Sequence, residues 1–546
     1  MKIRIPTKLQ VKTYFTSHIN QIIFGLYLGT IWNIYFFTLT ASYFQDNTIY
    51  RLFFFIFAII VFIIAFLISS AILKIIKKIT IKTPHNILSV KQRVSLFLLF
   101  FMGTLTVALI WFLAYNPGGF SSDSIDQLNQ AINGNYLDWH PALHTILVFT
   151  IPYSIFHNIA AIVIFQIIFF ALTLAYSMLT IYELIGKKWS IIAFLVIIFN
   201  PIVMDTLMFP WKDVTFAIFA LLITTISLKI YHSSGTWGNK TWKLILLGIV
   251  IAITSILRHN GILFTVPLVA FLFFFLDHKQ WFKLFACIVV TFFLIKVPLY
   301  SALNVTNPIR GAEETLGLPL TVLANVAKTT PEAMDQETSD FMYSIATQEQ
   351  WQNLYITGDF NSIKWSNINL APISDLGPMK IIKLTVKNLI SSTDASLIAL
   401  FKATQVVYGV EGTFSHNIPY IASNTAIASF NNTVLKQAID GYRKIFDESI
   451  LKYLEYTGTT IIALLVFILG KNHWKDNNWK KILLCTPIFF YDFGTMILLT
   501  GPEIRFFYIN FIIYPIIIVL ALIEPKSLKP AHTKNSINLT IIRNTP

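Results

Sequence analysis

Charge is what this 546-residue chain has least of. Asp, Glu, Lys and Arg together make up 12% of it, where soluble domains carry roughly 25%. That shortage excludes a water-soluble enzyme and a disordered chain. Cysteine is nearly absent, and Cys287 and Cys485 both fall in apolar segments, so no disulfide framework is encoded. There is no collagen-like period, internal repeat or low-complexity tract. Also missing are the Cys-x-x-Cys and His-Glu-x-x-His spacings, the Gly-x-Ser-x-Gly elbow and any Gly-rich phosphate loop, and with them the common metal, hydrolase and nucleotide sites.

Apolar residues fill the space left: 55% of the chain, including 48 Phe. A membrane-spanning helix needs roughly 20 mostly apolar residues. Such runs predict twelve spans, near 21–43, 52–76, 94–115, 159–183, 189–208, 213–230, 242–257, 261–276, 281–303, 455–470, 482–500 and 504–523. The fold class expected is therefore an all-α polytopic membrane protein of about 12 transmembrane helices. The first run is too long for a removable signal peptide and reads as an anchor.

The net charge of +14 would suit nucleic acid if it were clustered in one patch. Instead it sits in alternate short loops: Lys2, Arg4, Lys8 and Lys12, then Lys74 to Arg93, Lys187 and Lys188, Lys229 to Lys243, Lys279 and Lys283, Lys471 to Lys481 and the tail. The intervening short loops hold only Arg51, Lys212, Arg258 and Arg505. Basic loops mark the cytoplasmic face, so the charge is a topology signal and no nucleic-acid partner is expected. The alternation holds only if the apolar stretch 141–157 does not cross; it is expected as a juxtamembrane helix on the outer face, with both termini inside. The domain plan is then an N-terminal membrane module 1–304 with a catalytic outer loop 116–157, an extracytoplasmic loop domain 305–452, C-terminal transmembrane helices 453–525 and a cytoplasmic tail 526–546.

With sides assigned, four outer junctions collect the unusual polar residues. The first runs from Asn116-Pro-Gly-Gly through Asp123 and Asp126 to Asp138-Trp-His140-Pro. Asp123 and Asp126, three apart, share one face if 122–132 is helical; Ser121 or Ser122 caps that helix, and Asp126 reads equally as a solvated residue. The second is Asn200-Pro…Asp205…Pro210-Trp-Lys212-Asp213. Here Lys212 snorkels to headgroups, pairs with Asp213, or serves a site. The third, Arg258-His259-Asn260-Gly261, joins two helices of about 16 residues, near 24 Å, against a hydrocarbon core of roughly 30 Å. A recessed Arg costs a few kcal/mol and usually marks a functional pocket, and guanidinium suits phosphate. The fourth is Gly501-Pro-Glu503-Ile-Arg505-Phe-Phe-Tyr508, where Glu503 and Arg505 could simply pair. Asp492, inside a span, is expected to face the bundle interior.

Together, Asp123, Asp138-Trp-His-Pro141, Trp211-Lys-Asp213, Arg258-His-Asn-Gly261 and Glu503-Ile-Arg-Phe-Phe-Tyr508 resemble an uncharacterised bacterial branch of the GT-C superfamily, integral membrane glycosyltransferases that use lipid-linked sugar donors. The resemblance covers roughly 94–276 and 480–520. It implies a polyprenyl-phosphate sugar donor, an envelope glycan, glycolipid or protein acceptor, surrounding membrane lipids as partners, and a catalytic carboxylate at Asp123, helped by Asp126, Asp138 or His140. Lys212, Arg258, His259 and Arg505 are expected to bind the donor phosphate, with Asp213, Asn260 and Glu503 in support. The Asp123–Asp126 spacing is not the Asp-x-Asp pattern linked with metal in some relatives, which argues against a metal; no other cofactor is expected. Rival expectations are a transporter or flippase, a lipid-linked polymer ligase or polymerase, and a non-catalytic assembly protein.

Overall fold

The computed structural model describes residues 8–40, 48–78, 88–308, 311–408, 417–423, 427, 432–449, 451 and 480–522. Among these the chain is helical, with isolated β-bridges and no strand. It is an all-α, multi-pass membrane protein. Among the described residues, five helices are long and apolar enough to cross a bilayer: Leu52–Ile75, Val90–Ala114, Ala160–Ile185, Lys212–His232 and His278–Ala302. A sixth arises if Lys187–Ile198 and Pro201–Leu207, bent by 58°, count as one. Shorter apolar helices occupy Ala142–Phe156, Thr241–Leu257, His259–Leu272, Leu483–Leu498 and Ile504–Ile518. The expected span 455–470 and the tail 526–546 lie outside the described residues.

The expected span 189–208 is bent at Asn200-Pro201, where the proline breaks the helix. Asn200 caps the second piece, its Oδ1 accepting from the N–H groups of Ile202 (2.9 Å) and Val203 (3.3 Å), with Pro201 at the first helical position, where its missing N–H costs nothing. Stretch 141–157 forms one apolar helix of less than spanning length, Ala142–Phe156. Its His144 bridges Gln127 (2.6 Å) and Thr215 (3.2 Å), which fastens it to both the 122–133 helix and the 212–232 helix.

Two ends of the bundle differ in kind. At one, Arg93 pairs with Glu183 (2.9 Å) and Lys229 stands over the Tyr176 ring. At the other, all four polar junctions meet. Gly119 N–H donates to Met208 O (3.0 Å), Trp211 Nε1–H to Ser121 Oγ (2.8 Å), Arg258 to Phe506 O (3.1 Å), and Arg505 to Asp123 (2.8 Å). The Pro-Gly-Gly turn fits because Gly118 adopts φ +117 against Val163, and a Cβ on Gly119 would strike the Phe209 ring. Only glycine tolerates both conditions.

The segment 305–452 does not form a single detached domain. Its middle has a core of its own around Leu320, Phe341, Trp351 and Leu384. Its last helix, Thr433–Asp447, joins the membrane core through buried Ile439 and partly buried Leu435 and Tyr442. The reason is Arg443. It grips Asp205 with two hydrogen bonds of 2.6 Å and donates to Tyr115 Oη (2.6 Å), while Trp111 Nε1–H reaches the same carboxylate (2.9 Å). Both partners are buried, and each needs the other to offset lost hydration. Loop 420–422 is stitched in as well: Phe120 N–H donates to Tyr420 O and Ala422 N–H to Phe120 O, each 2.8 Å.

Breaking this clamp strands a buried charge. Arg443→Met should destabilise the detergent-purified protein by about 3–5 kcal/mol, read as a lowered thermal unfolding midpoint. The double variant Arg443→Met/Asp205→Leu should recover much of that loss; no recovery would mean the pair is not the clamp.

Candidate functional site at the junction end

One buried and two half-buried cations define this end. Arg258 follows the 241–257 helix, is 6% exposed, and pairs with Asp213 (2.8 Å) while donating to Tyr491 Oη. Lys212 opens the 212–232 helix and meets His140 Nδ1 (3.0 Å). Of the three roles open to Lys212, the local ion pair with Asp213 is not formed; adjacent helical residues diverge around the axis, and Asp213 turns to Arg258. Arg505 binds Asp123 (2.8 Å) and its near neighbour Glu503.

Aromatic rings separate the cations. Phe506 lies between the Arg258 and Arg505 guanidinium groups, 5.0 and 5.1 Å from its centroid. Arg505 also covers Trp211 (5.0 Å), which stacks on Phe209 at 4.0 Å. Ring faces attract cations, so the rings hold like charges apart while stabilising each one.

A cavity of about 390 Å³ opens here. Lys212, Arg258, His259, Asn260 and Trp139 line it from the membrane module, and Glu314 and Thr315 from the segment after 305. Leu263, Leu498 and Phe506 give it an apolar side. Asp123, His140 and Arg505 are not on its wall; they stand behind Lys212. The charge of Lys212 reaches Asp123. Asn260 is held by its side-chain N–H to Thr495 Oγ1 (2.9 Å), and His259 faces Trp139 O (3.3 Å).

The first junction supplies the acids. Ser121 caps the Ser122–Asn133 helix, as expected, and Asp123 and Asp126 flank His140. Asp126 is 50% exposed, lies 3.9 Å from His140 Nε2 and accepts from Gln130 (2.8 Å). Asp138 is placed differently from the expected catalytic group: its carboxylate takes Lys296 (2.9 Å) and the Ala142 N–H (2.9 Å), binding the start of the 142–156 helix to the end of the 278–302 helix. Burial works against ionised Asp123, but Arg505 and then Lys212 hold its carboxyl down at about 2. Burial and the adjacent Lys212 push His140 down to about 3, against the pull of Asp123. At neutral pH the site therefore holds a charged Asp123 beside an uncharged imidazole.

Asp492 is buried as expected and accepts from Asn510 (3.1 Å). Sequence reasoning missed Tyr491, Tyr420, Glu314 and Arg443. For Arg443 the signal was present: Leu435, Ile439, Tyr442 and Phe446 repeat at helical spacing around it. Nothing in the sequence marks the other three. Among the described residues, no three His, Cys, Asp or Glu side chains gather closely enough to hold a metal ion.

A family model described as a family of unknown function (DUF6020) matches residues 153–374. That stretch holds Lys212, Asp213, Arg258, His259 and Asn260 but neither Asp123 nor Arg505. No curated protein and no solved structure matches the chain.

The contact between 356–362 and 499–503 carries a pH dependence. Phe360 N–H and Asn361 N–H both donate to Thr500 O (2.6 and 3.2 Å), and Asn361 Nδ2 donates to Glu503 (3.3 Å). Burial, with Glu503 nearby and in spite of the Asn361 N–H bond, raises the Asp359 carboxyl to about 6. The folded state then binds its proton more tightly than the unfolded chain, so this contribution is complete below about pH 4 and is lost as pH rises through 6. Asp359→Asn should raise the unfolding midpoint at pH 8 and leave it nearly unchanged at pH 4. Equal shifts at both pH values would refute the assignment.

Proposed function

We propose that this protein is a membrane glycosyltransferase of GT-C type, moving a sugar from a polyprenyl-phosphate donor to an envelope acceptor on the outer face, with inversion. The observation that carries the reading is the cavity lined by Lys212, Arg258 and His259, whose Lys212 charge also acts on the ionised Asp123. In this reading the junction end faces outward, the termini lie in the cytoplasm, and the donor phosphate enters the cavity against the cations. Leu263, Leu498 and Phe506 offer its first isoprene units an apolar surface.

The acceptor hydroxyl oxygen attacks the anomeric carbon and forms the new glycosidic bond. The bond from that carbon to the phosphate oxygen breaks, its electron pair staying on the phosphate, where Lys212 and Arg258 offset the growing charge. The hydroxyl proton passes to Asp123. Held by Arg505, Asp123 is a weak base. A phosphate that draws Arg505 toward itself frees the carboxylate and strengthens it, so the base becomes competent when the donor is in place. Asp126 and His140 support Asp123, and Asp213, Asn260 and Glu503 fix the cations.

Asp123→Asn should reduce sugar transfer in membranes by about 10²–10⁴-fold without altering expression; full activity would remove the base. Arg258→Ala is a poor probe because it leaves Asp213 buried and unpaired. Lys212→Met strands no carboxylate and should raise the donor KM by about tenfold, roughly 1.4 kcal/mol. An unchanged KM would remove the phosphate role.

A further inference from the structure

Tyr420 is an aromatic residue of this end that no motif marked. Its carbonyl accepts from the N–H of Phe120, three residues before Asp123, and Ala422 N–H donates back to Phe120 O. One edge of its ring is packed on Phe209 in a T-shaped contact at 5.5 Å, and half of the side chain, 50%, is open to solvent. The charges of Arg505, Asp123 and Glu503 all reach its hydroxyl. Asp123 and Glu503 are themselves about one third exposed, at 35% and 36%. The other acid of the cluster, Asp213, is 1% exposed.

The ring leads through Phe209 and Trp211 to Arg505, which holds the two accessible carboxylates, and an open ring near carboxylates matches the chemistry of a pyranose. A sugar offers an apolar face of C–H bonds to a ring and hydroxyl donors around its rim to carboxylate oxygens. The ring packs on Phe209 and its loop is tied to Phe120 by two backbone hydrogen bonds, so binding costs it little further ordering. Its place also suits the transfer. Lys212 and Arg258 line the donor cavity on one side of the cluster, and Tyr420, Asp123 and Glu503 are grouped around Arg505, off that cavity's wall. A hydroxyl carried in on Tyr420 would arrive at the base and not at the phosphate-binding wall.

We infer that Tyr420, with Asp123 and Glu503, forms the acceptor subsite and that the acceptor is a saccharide chain. The inference rests on the transfer reading above for the word acceptor; the binding site itself stands on Tyr420. Polypeptide is the competing class; on the side facing Phe120 the Tyr420 carbonyl and the Ala422 N–H are already taken.

The test uses the full chain purified in detergent and saturation-transfer NMR with chitotetraose, maltotetraose and a Gly-Ser-Thr-Gly peptide as probes. At least one saccharide should bind. Tyr420→Ala should weaken it by about tenfold, roughly 1.4 kcal/mol, and Tyr420→Phe, which keeps the ring, should stay near the wild type. Three results would overturn the inference: no saccharide binding, equal binding by Tyr420→Ala, or peptide binding that depends on Tyr420. The two readings fail separately. An Asp123→Asn protein that still transfers sugar sinks the transfer reading and leaves Tyr420-dependent binding intact.

Discussion

Three cations held largely out of water at one end of a helical bundle set the terms for everything around them. Lys212, Arg258 and Arg505 cannot be left uncompensated where solvent is scarce. Asp213 answers Arg258, while Asp123 and Glu503 answer Arg505. Rings fill the gaps between like charges, Phe506 above all. The cluster is balanced as it stands, so an arriving anion must take a cation from a carboxylate. Asp213 is sealed in, whereas Asp123 keeps a third of its surface in water and bears the exchange more easily. The most replaceable partner in the cluster is thus the group proposed to act as base.

The rest of the fold serves that end. The broken helix at Asn200-Pro201 turns Asp205 toward Arg443, and the 433–447 helix is thereby drawn onto the bundle. Phe120 ties the Asp123 helix to loop 420–422, and Thr500 ties the Arg505 turn to residues 360–361. Glu314, fixed by an ion pair to buried Lys364, brings the middle segment to the cavity wall. Residues far apart in the chain are therefore joined at the site through backbone hydrogen bonds and buried ion pairs, not through a single rigid helix.

Much of this could be read before any coordinates. Apolar run length gave the helical membrane class, and charge scarcity made each remaining ion conspicuous, which is why Asp123, Lys212, Arg258 and Arg505 stood out and why they meet. Partnerships were harder. Local spacing suggested Lys212 with Asp213, but helix geometry sends neighbours apart, and Arg258 takes the acid instead. Asp138 looked like a catalytic acid and turns out to hold Lys296, a residue 158 positions away that no local pattern connects to it. The loop segment looked like one domain because its composition is uniform; its division follows from Arg443, whose partner Asp205 lies in a different part of the chain. Tyr420 was invisible because an exposed tyrosine in a polar loop carries no pattern at all.

The central claim is that the cations at this end hold the phosphate of a lipid-linked sugar. A structure of the protein with undecaprenyl phosphate bound tests it most directly. The account predicts phosphate density in the cavity between Lys212, Arg258 and His259, with Arg505 displaced from Asp123 toward it. Phosphate bound elsewhere on the bundle, or a cavity left empty at saturating lipid, would contradict it.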